Sequence, residues 1–184
     1  MPKKHLLSQT QLASLTSPVR LAIVQRMEID REATARELAR RMGRPVTSIY
    51  HHLKQLEAVG VLRVVAERKG PRRPEAVYAM VGDYLSSAEA VKTQRGRQTY
   101  SRTAGRVAEA GARAFSAAVA SGSTRFDGEQ RNTTARYYAL RADARKIARI
   151  NKLLRELEDV ALHSCEDGEA IQLTILLSPM PSKE

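Results

Sequence analysis

The sequence predicts a mainly helical fold carrying a small β-hairpin. Apolar residues recur at helical spacing along most of the 184 residues. Between Val61 and Val81 that period gives way to two β-prone runs about a Gly/Pro turn. With no Trp and 4% aromatic residues, the core must be built from Leu, Ile, Val and Ala, which suits closely packed helices.

Met1 to Leu7 is a short basic segment, expected to be a mobile tail. Ser8 to Leu15 suits one or two helical turns, with Leu12 and Leu15 on one side. Ser17 then caps a helix that has Pro18 at its first position. Leu21, Ile23, Val24 and Met27 make that helix, ending near Glu28, mostly buried.

Thr34 and Glu37 form a capping box for the next helix, Ala35 to about Met42. Leu38 and Met42 face inward, and Gly43 is a natural stop. Pro45 opens a further helix with the apolar stripe Val46, Ile49, Leu53 and Leu56, and Gly60 ends it. Two helices joined by a short Gly-containing turn make a helix-turn-helix. In that arrangement the N-terminal part of the second helix meets base edges in the DNA major groove. Thr47, Ser48, Tyr50, His51 and Lys54 are the side chains it offers. Hydroxyl, imidazole and amine groups there can reach base edges and phosphates. His51 and His52 are adjacent, point about 100° apart on a helix and cannot chelate one ion together.

Val61 to Arg68 and Ala76 to Val81 flank the turn Lys69-Gly-Pro-Arg-Arg-Pro-Glu, which reads as a hairpin. Its tip carries Arg68, Lys69, Arg72 and Arg73, and Pro71 and Pro74 stiffen it. A helix-turn-helix followed by a basic-tipped hairpin is a winged helix. The wing is expected along phosphates or in the minor groove, with Arg40, Arg41 and Arg44 adding phosphate contacts on the same side.

Four blocks carry a family resemblance: Leu15-Thr-Ser-Pro-Val-Arg-Leu-Ala-Ile, Ala35-Arg-Glu-Leu-Ala, Ser48-Ile-Tyr-His-His-Leu-Lys-Gln-Leu-Glu-Ala-Val-Gly-Val-Leu, and the basic turn closing on Ala76-Val-Tyr. In order and spacing the stretch from Leu15 to Tyr84 resembles the ArsR-type winged-helix repressors and their MarR-like relatives. The resemblance implies a DNA-binding regulator, most commonly a repressor, with His51 toward DNA and His52 packed or half-buried. Metal-sensing members carry cysteines in the helix before the recognition helix. Here Ala35–Met42 holds neither Cys nor His. His163 and Cys165 supply only half of a metal site, so no metal or other cofactor is expected.

Beyond Tyr84 the composition changes. Ala88 to Arg97 is helical in part. From Arg102 to Ala120 the small-residue stripe Ala104, Ala108, Gly111, Phe115 and Ala118 suits close helix approach, and Ser121 to Gly128 is a loop. Glu129 to about His163 is read as one helix of roughly 45 Å, with the stripe Leu140, Ala144, Ile147, Ile150, Leu154, Leu157 and Ala161. Its length calls for a partner helix, most simply in a second copy of the chain; pairing with the 102–120 helix is the alternative. Leu140, Ile147, Ile150, Leu154 and Leu157 are the dimerisation residues. Tyr137 and Tyr138 are assigned to packing at the dimer core rather than a ligand pocket, and Ile171 to Leu177 to a short C-terminal strand, ended by Pro179 and Pro181, that lies against a helical layer or an equivalent strand across the dimer.

Charge agrees with this division. The net charge is +11; residues 1–81 hold 15 Lys and Arg against 7 Asp and Glu, and residues 82–184 hold 16 against 13. A basic N-terminal half suits nucleic acid. One cysteine excludes an intrachain disulfide, and no apolar run is long enough to span a bilayer. The start lacks a secretory apolar core, so a cytoplasmic protein is expected. No Gly-rich phosphate loop or nucleophile elbow occurs, which disfavours an enzyme.

The expectation is therefore a winged helix-turn-helix domain over residues 1–84 and a helical dimerisation region with a short strand over 85–184. Its partners are double-stranded DNA and a second copy, with a small-molecule effector left open. A protein-interaction module or a non-specific architectural DNA binder are the rival readings.

Overall fold

A computed structural model describes residues 2–70, 73–163 and 168–180. Arg72 and Pro71 of the wing tip, Cys165 and Pro181 lie outside the described residues. The elements run β1 (Lys4–Leu6), α1 (Gln9–Ser14), α2 (Pro18–Asp30), β2 (Glu32–Thr34), α3 (Ala35–Met42), α4 (Val46–Ala58), β3 (Leu62–Arg68), β4 (Glu75–Met80), β5 (Tyr84–Ser86), a single 3₁₀ turn, α5 (Gln94–Ser121) and α6 (Ala144–Leu162). This is the mainly helical winged helix-turn-helix architecture that the sequence predicts, with β2, β4 and β3 forming the wing sheet in that order.

Local chemistry sets the starts of α1, α2 and α3 and the ends of α3 and α4. Ser8 Oγ accepts from Gln11 N while Gln11 Oε1 accepts from Ser8 N, a capping box on α1. Ser17 caps α2 ahead of Pro18, as its sequence implies. Thr34 Oγ1 accepts from Glu37 N at 3.3 Å, and the Glu37 carboxylate accepts from Thr34 N at 2.8 Å. Gly43 (φ 60°) and Gly60 (φ 73°) both take the left-handed conformation. Arg44 N then reaches Ala39 O, and Val61 N reaches Leu56 O, closing α3 and α4 with the same 6→1 bond.

One core gathers residues from α1 to α4 and from the wing sheet. Leu12, Leu15, Ile23, Val24, Met27, Leu38, Ile49, Leu53 and Leu56 pack with Val61, Leu62, Tyr78 and Met80. The inward residues expected of α2 are all buried, and Met42 packs against the rim. Val46 is the exception in α4. It sits in the first turn at the edge of the stripe and is 41% exposed.

Three features depart from the sequence reading. The basic tail is not free: Lys4–Leu6 pairs in parallel with Tyr84–Ser86, Lys3 N donates to the Asp83 carboxylate, and Asp83 N donates to Lys3 O at 2.8 Å. The wing has a third strand, because Glu32–Thr34 pairs antiparallel with β4 in the register Ala33↔Tyr78. The long helix is shorter than expected. Residues 132–143 carry no helix, so α6 has 19 residues, roughly 28 Å, instead of starting at Glu129. Asp143 sets its start by accepting from Lys146 N at 2.8 Å, a capping signal that the apolar spacing hid. Leu140 therefore lies outside the helix and is 53% exposed.

By contacts the chain divides into two units. One takes the chain up to Gly111 together with the stretch from Thr174; the other is Ala112–Leu173. The second unit holds together by polar links. Glu169 accepts from Arg125 at 2.6 Å and from Asn132 at 2.7 Å, and these two bonds hold its carboxyl below the usual range. Tyr137 (85% exposed) and Tyr138 (75%) are uncovered within the single chain. Residues 171–177 form no strand within the single chain.

The α3 cap gives the first prediction. Thr34→Ala removes the side-chain acceptor and should cost about 1 kcal/mol in urea unfolding. The bond from the Thr34 backbone chiefly lowers the Glu37 pKa, with the nearby Arg68 and Arg41 charges helping against desolvation. A lowered carboxylate pKa contributes stability that is fully present above the unfolded value and is lost as pH falls through the folded one. Wild type should therefore lose stability faster than Glu37→Gln as pH falls below the ordinary glutamate range. Equal pH slopes for the two proteins would contradict the assignment.

Candidate nucleic-acid interface

Three fully buried residues set the rotation of α4. Ile49, Leu53 and Leu56 are each 0% exposed, so the opposite side of the helix must face outward. At 100° per residue that side carries Thr47, His51, Lys54 and Ala58. Thr47, Tyr50, His51 and Lys54 are exposed, and Ser48 is half-buried at the flank. All five side chains proposed for base or phosphate contact from α4 thus lie on its accessible part.

Lys54 donates to Glu57 at 2.9 Å and sits 5.7 Å from the centre of the Tyr50 ring. The Glu57 bond, followed by the neighbouring Tyr78, raises the Lys54 pKa, so its charge persists. Beneath it Tyr78 is 1% exposed, and burial pushes its phenol pKa up. A charge-assisted bond to Glu57 on a largely exposed side chain is readily exchanged for a phosphate oxygen.

His51 and His52 have different surroundings, as the resemblance implies. Their rings meet edge to face at 5.6 Å. His51 is exposed and its Nε2 lies 3.0 Å from Gln55 Nε2. His52 is half-buried with its Nδ1 out of contact with solvent. Desolvation lowers the His52 pKa, Gln55 opposes, and the charges of Arg20, His51 and Arg44 add to the lowering. His52 is therefore held as a neutral packing residue beside the exposed ring.

The flanking cations fall into two groups. Arg40, Arg44, Lys69 and Arg73 are exposed and make no ion pair among the described residues. Arg41 is instead bound to Asp30 at 2.7 Å, where Arg26 also binds, so its expected role as a phosphate contact competes with a partly buried ion pair. Arg68 leans back onto Glu37 at 3.4 Å and Glu32 at 3.7 Å, and Arg36 holds Glu75 at 2.8 Å. These pairs tie the base of the wing to α3, while Arg63, Lys69 and Arg73 make no ion pair among the described residues.

The sequence reading did not single out Gln55 and Arg20. Gln55 stands four residues after His51, a spacing that puts the two side chains together on a helix. Arg20 is 35 residues away from Gln55 and was not accessible to pattern reading.

Among the described residues no three His, Cys, Asp or Glu side chains are grouped so as to hold a metal. No helix of the described residues is long and apolar enough to cross a membrane. No curated protein matches the sequence. Residues 15–65, which run from the end of α1 into β3, match a helix-turn-helix domain family, and this match supports a DNA-binding regulator.

Proposed function

We propose that the protein is a sequence-specific transcriptional regulator of the ArsR-like kind, a repressor that binds a palindromic operator as a homodimer. The observation that carries DNA reading is the outward face of α4. Thr47, Ser48, Tyr50, His51 and Lys54 stand on its accessible part, and Arg40, Arg44, Lys69 and Arg73 are exposed and make no ion pair among the described residues. In this reading residues 1–84 read DNA, and Arg68 and Arg72 join the phosphate contacts of the wing. Residues 85–184 bring two copies together.

Dimerisation is supported by what the single chain leaves uncovered. No described residue beyond Thr103 is buried, yet Ile147, Leu153, Leu157, Val160, Ile171 and Leu173 are large, apolar and 38% to 70% exposed. On α6, Ile147, Ile150, Leu154 and Leu157 fall on one side at spacings of three and four. Such a stripe, only partly covered within one chain, suits an identical partner. A two-fold dimer would present two α4 helices to half-sites about one turn, roughly 34–36 Å, apart. An effector, where one acts, would change the angle between the two winged helices.

Selection of bound sequences from random duplexes tests the whole reading. A palindrome is the expected result. Binding without an enriched sequence would indicate an architectural binder, and no binding at low salt a protein-interaction module. Lys69→Ala and Arg73→Ala should each weaken binding to all sequences and reduce the log–log salt slope by about 1; Ser48→Ala should alter sequence preference instead. Ile147→Asp with Leu154→Asp should give a monomer in sedimentation equilibrium and weaken operator binding by on the order of 100-fold. A double variant that stays dimeric would place the interface elsewhere.

A further inference from the structure

A chain of hydrogen bonds runs through the first unit and ends on the outward face of α4. Arg20 Nε donates to Ser14 O at 2.6 Å, which fixes the guanidinium between α1 and α4. Arg20 Nη1 donates to Gln55 Oε1 at 2.7 Å. The Gln55 Nε2 group then faces His51 Nε2 at 3.0 Å.

The direction of every bond in this chain is dictated by chemistry. Arginine has donors only, so the Gln55 atom that meets it must be the carbonyl oxygen. The amide NH₂ is thereby turned toward His51, and it too can only donate. His51 Nε2 must accept, because a hydrogen there would point at the amide hydrogens. The proton of the His51 ring is thus on Nδ1, since the bond made by one ring nitrogen sets the state of the other. Nδ1 has no hydrogen-bond partner among the described residues, and the ring is exposed at the centre of the face opposite the core.

We propose that His51 is a specificity-determining residue that reads a base acceptor through its Nδ1–H, and that Arg20 and Gln55 are positioning residues that hold the proton there. This rests on the reading of α4 as a DNA-reading helix. The ligand chemistry follows from the donor. In the major groove guanine presents N7 and O6, adenine N7 and thymine O4 as acceptors, whereas cytosine presents only the N4 donor. A ring held with its proton outward accepts guanine, adenine or thymine at the contacted position and rejects cytosine. A ring free to move its proton to Nε2 would turn a lone pair outward and lose that discrimination.

The test has two arms. In the first, long-range ¹⁵N–¹H correlation of the imidazole nitrogens is recorded on the full-length free protein at a pH where the ring is neutral. Wild-type His51 should show the Nδ1–H form, and Gln55→Met should shift it toward Nε2–H. Gln55 is a half-buried surface side chain, so this variant keeps the core intact, and an unchanged amide spectrum away from α4 checks that. An Nε2–H ring in the wild type would overturn the proposal whatever the DNA result. In the second, sequences are selected from random duplexes with wild type, His51→Ala and Gln55→Met. Wild type should deplete cytosine relative to the three acceptor-bearing bases at one position of each half-site, and both variants should relax that preference roughly five- to tenfold. A wild-type site whose base preferences survive both variants would overturn the role of His51 while leaving the DNA-binding reading standing. No enriched sequence for the wild type would overturn both, even with the Nδ1–H form observed.

Discussion

The rotation of α4 about its own axis is the constraint from which the interface follows. Ile49, Leu53 and Leu56 are fully buried, and no other rotation of the helix would bury all three. A slip of one residue would turn the helix by 100° and place polar side chains in the core, at a cost of several kcal/mol for each one left unpaired. The same burial energy therefore chooses which side chains meet solvent. Thr47, His51 and Lys54 are outward because the three aliphatic residues are inward. Gly43 and Gly60 complete the setting by letting the chain turn tightly at both ends of the helix-turn-helix.

Ion pairs partition the basic residues of the first unit into framework and free charge. Asp30 collects Arg26 and Arg41, while Glu32 and Glu37 collect Arg68. These are partly exposed pairs, each worth little for stability, but together they orient the wing base on α3. Among the described residues Arg40, Arg44, Lys69 and Arg73 make no ion pair, and neither do Lys4 and Arg63. A field built from free cations on two separate elements attracts a long polyanion better than a single cluster would. The chain through Arg20 and Gln55 acts on a finer scale, setting the position of one proton on His51 rather than a net charge.

The C-terminal part obeys a different balance. Its apolar residues are numerous, yet none beyond Thr103 is buried among the described residues. A chain pays conformational entropy for each ordered residue and recovers it by removing apolar surface from water. In α6 and the segments around it that recovery is incomplete within one chain. The polar links of Glu169 to Arg125 and Asn132 order the connecting stretches without supplying a core.

Local sequence signals determined much of the first unit. The capping box of Thr34 and Glu37, the Ser17-Pro18 start, the two glycine stops and the Ile49/Leu53/Leu56 stripe each depend on residues a few positions apart, so they are legible without a structure. The outward set Thr47, Ser48, Tyr50, His51 and Lys54 follows from the same stripe. Features that join distant residues were decided only in the tertiary structure: the pairing of Lys4–Leu6 with Tyr84–Ser86, the third wing strand Glu32–Thr34, the pairing of Arg41 and Arg68 with carboxylates, and the link from Arg20 to His51. Apolar spacing also misjudged the second half, where a helical period ran on through residues 132–143 although Asp143 caps the real start of α6. Periodicity reports which side of a helix is apolar; whether a helix forms, and what covers it, depends on caps and on partners that spacing does not contain.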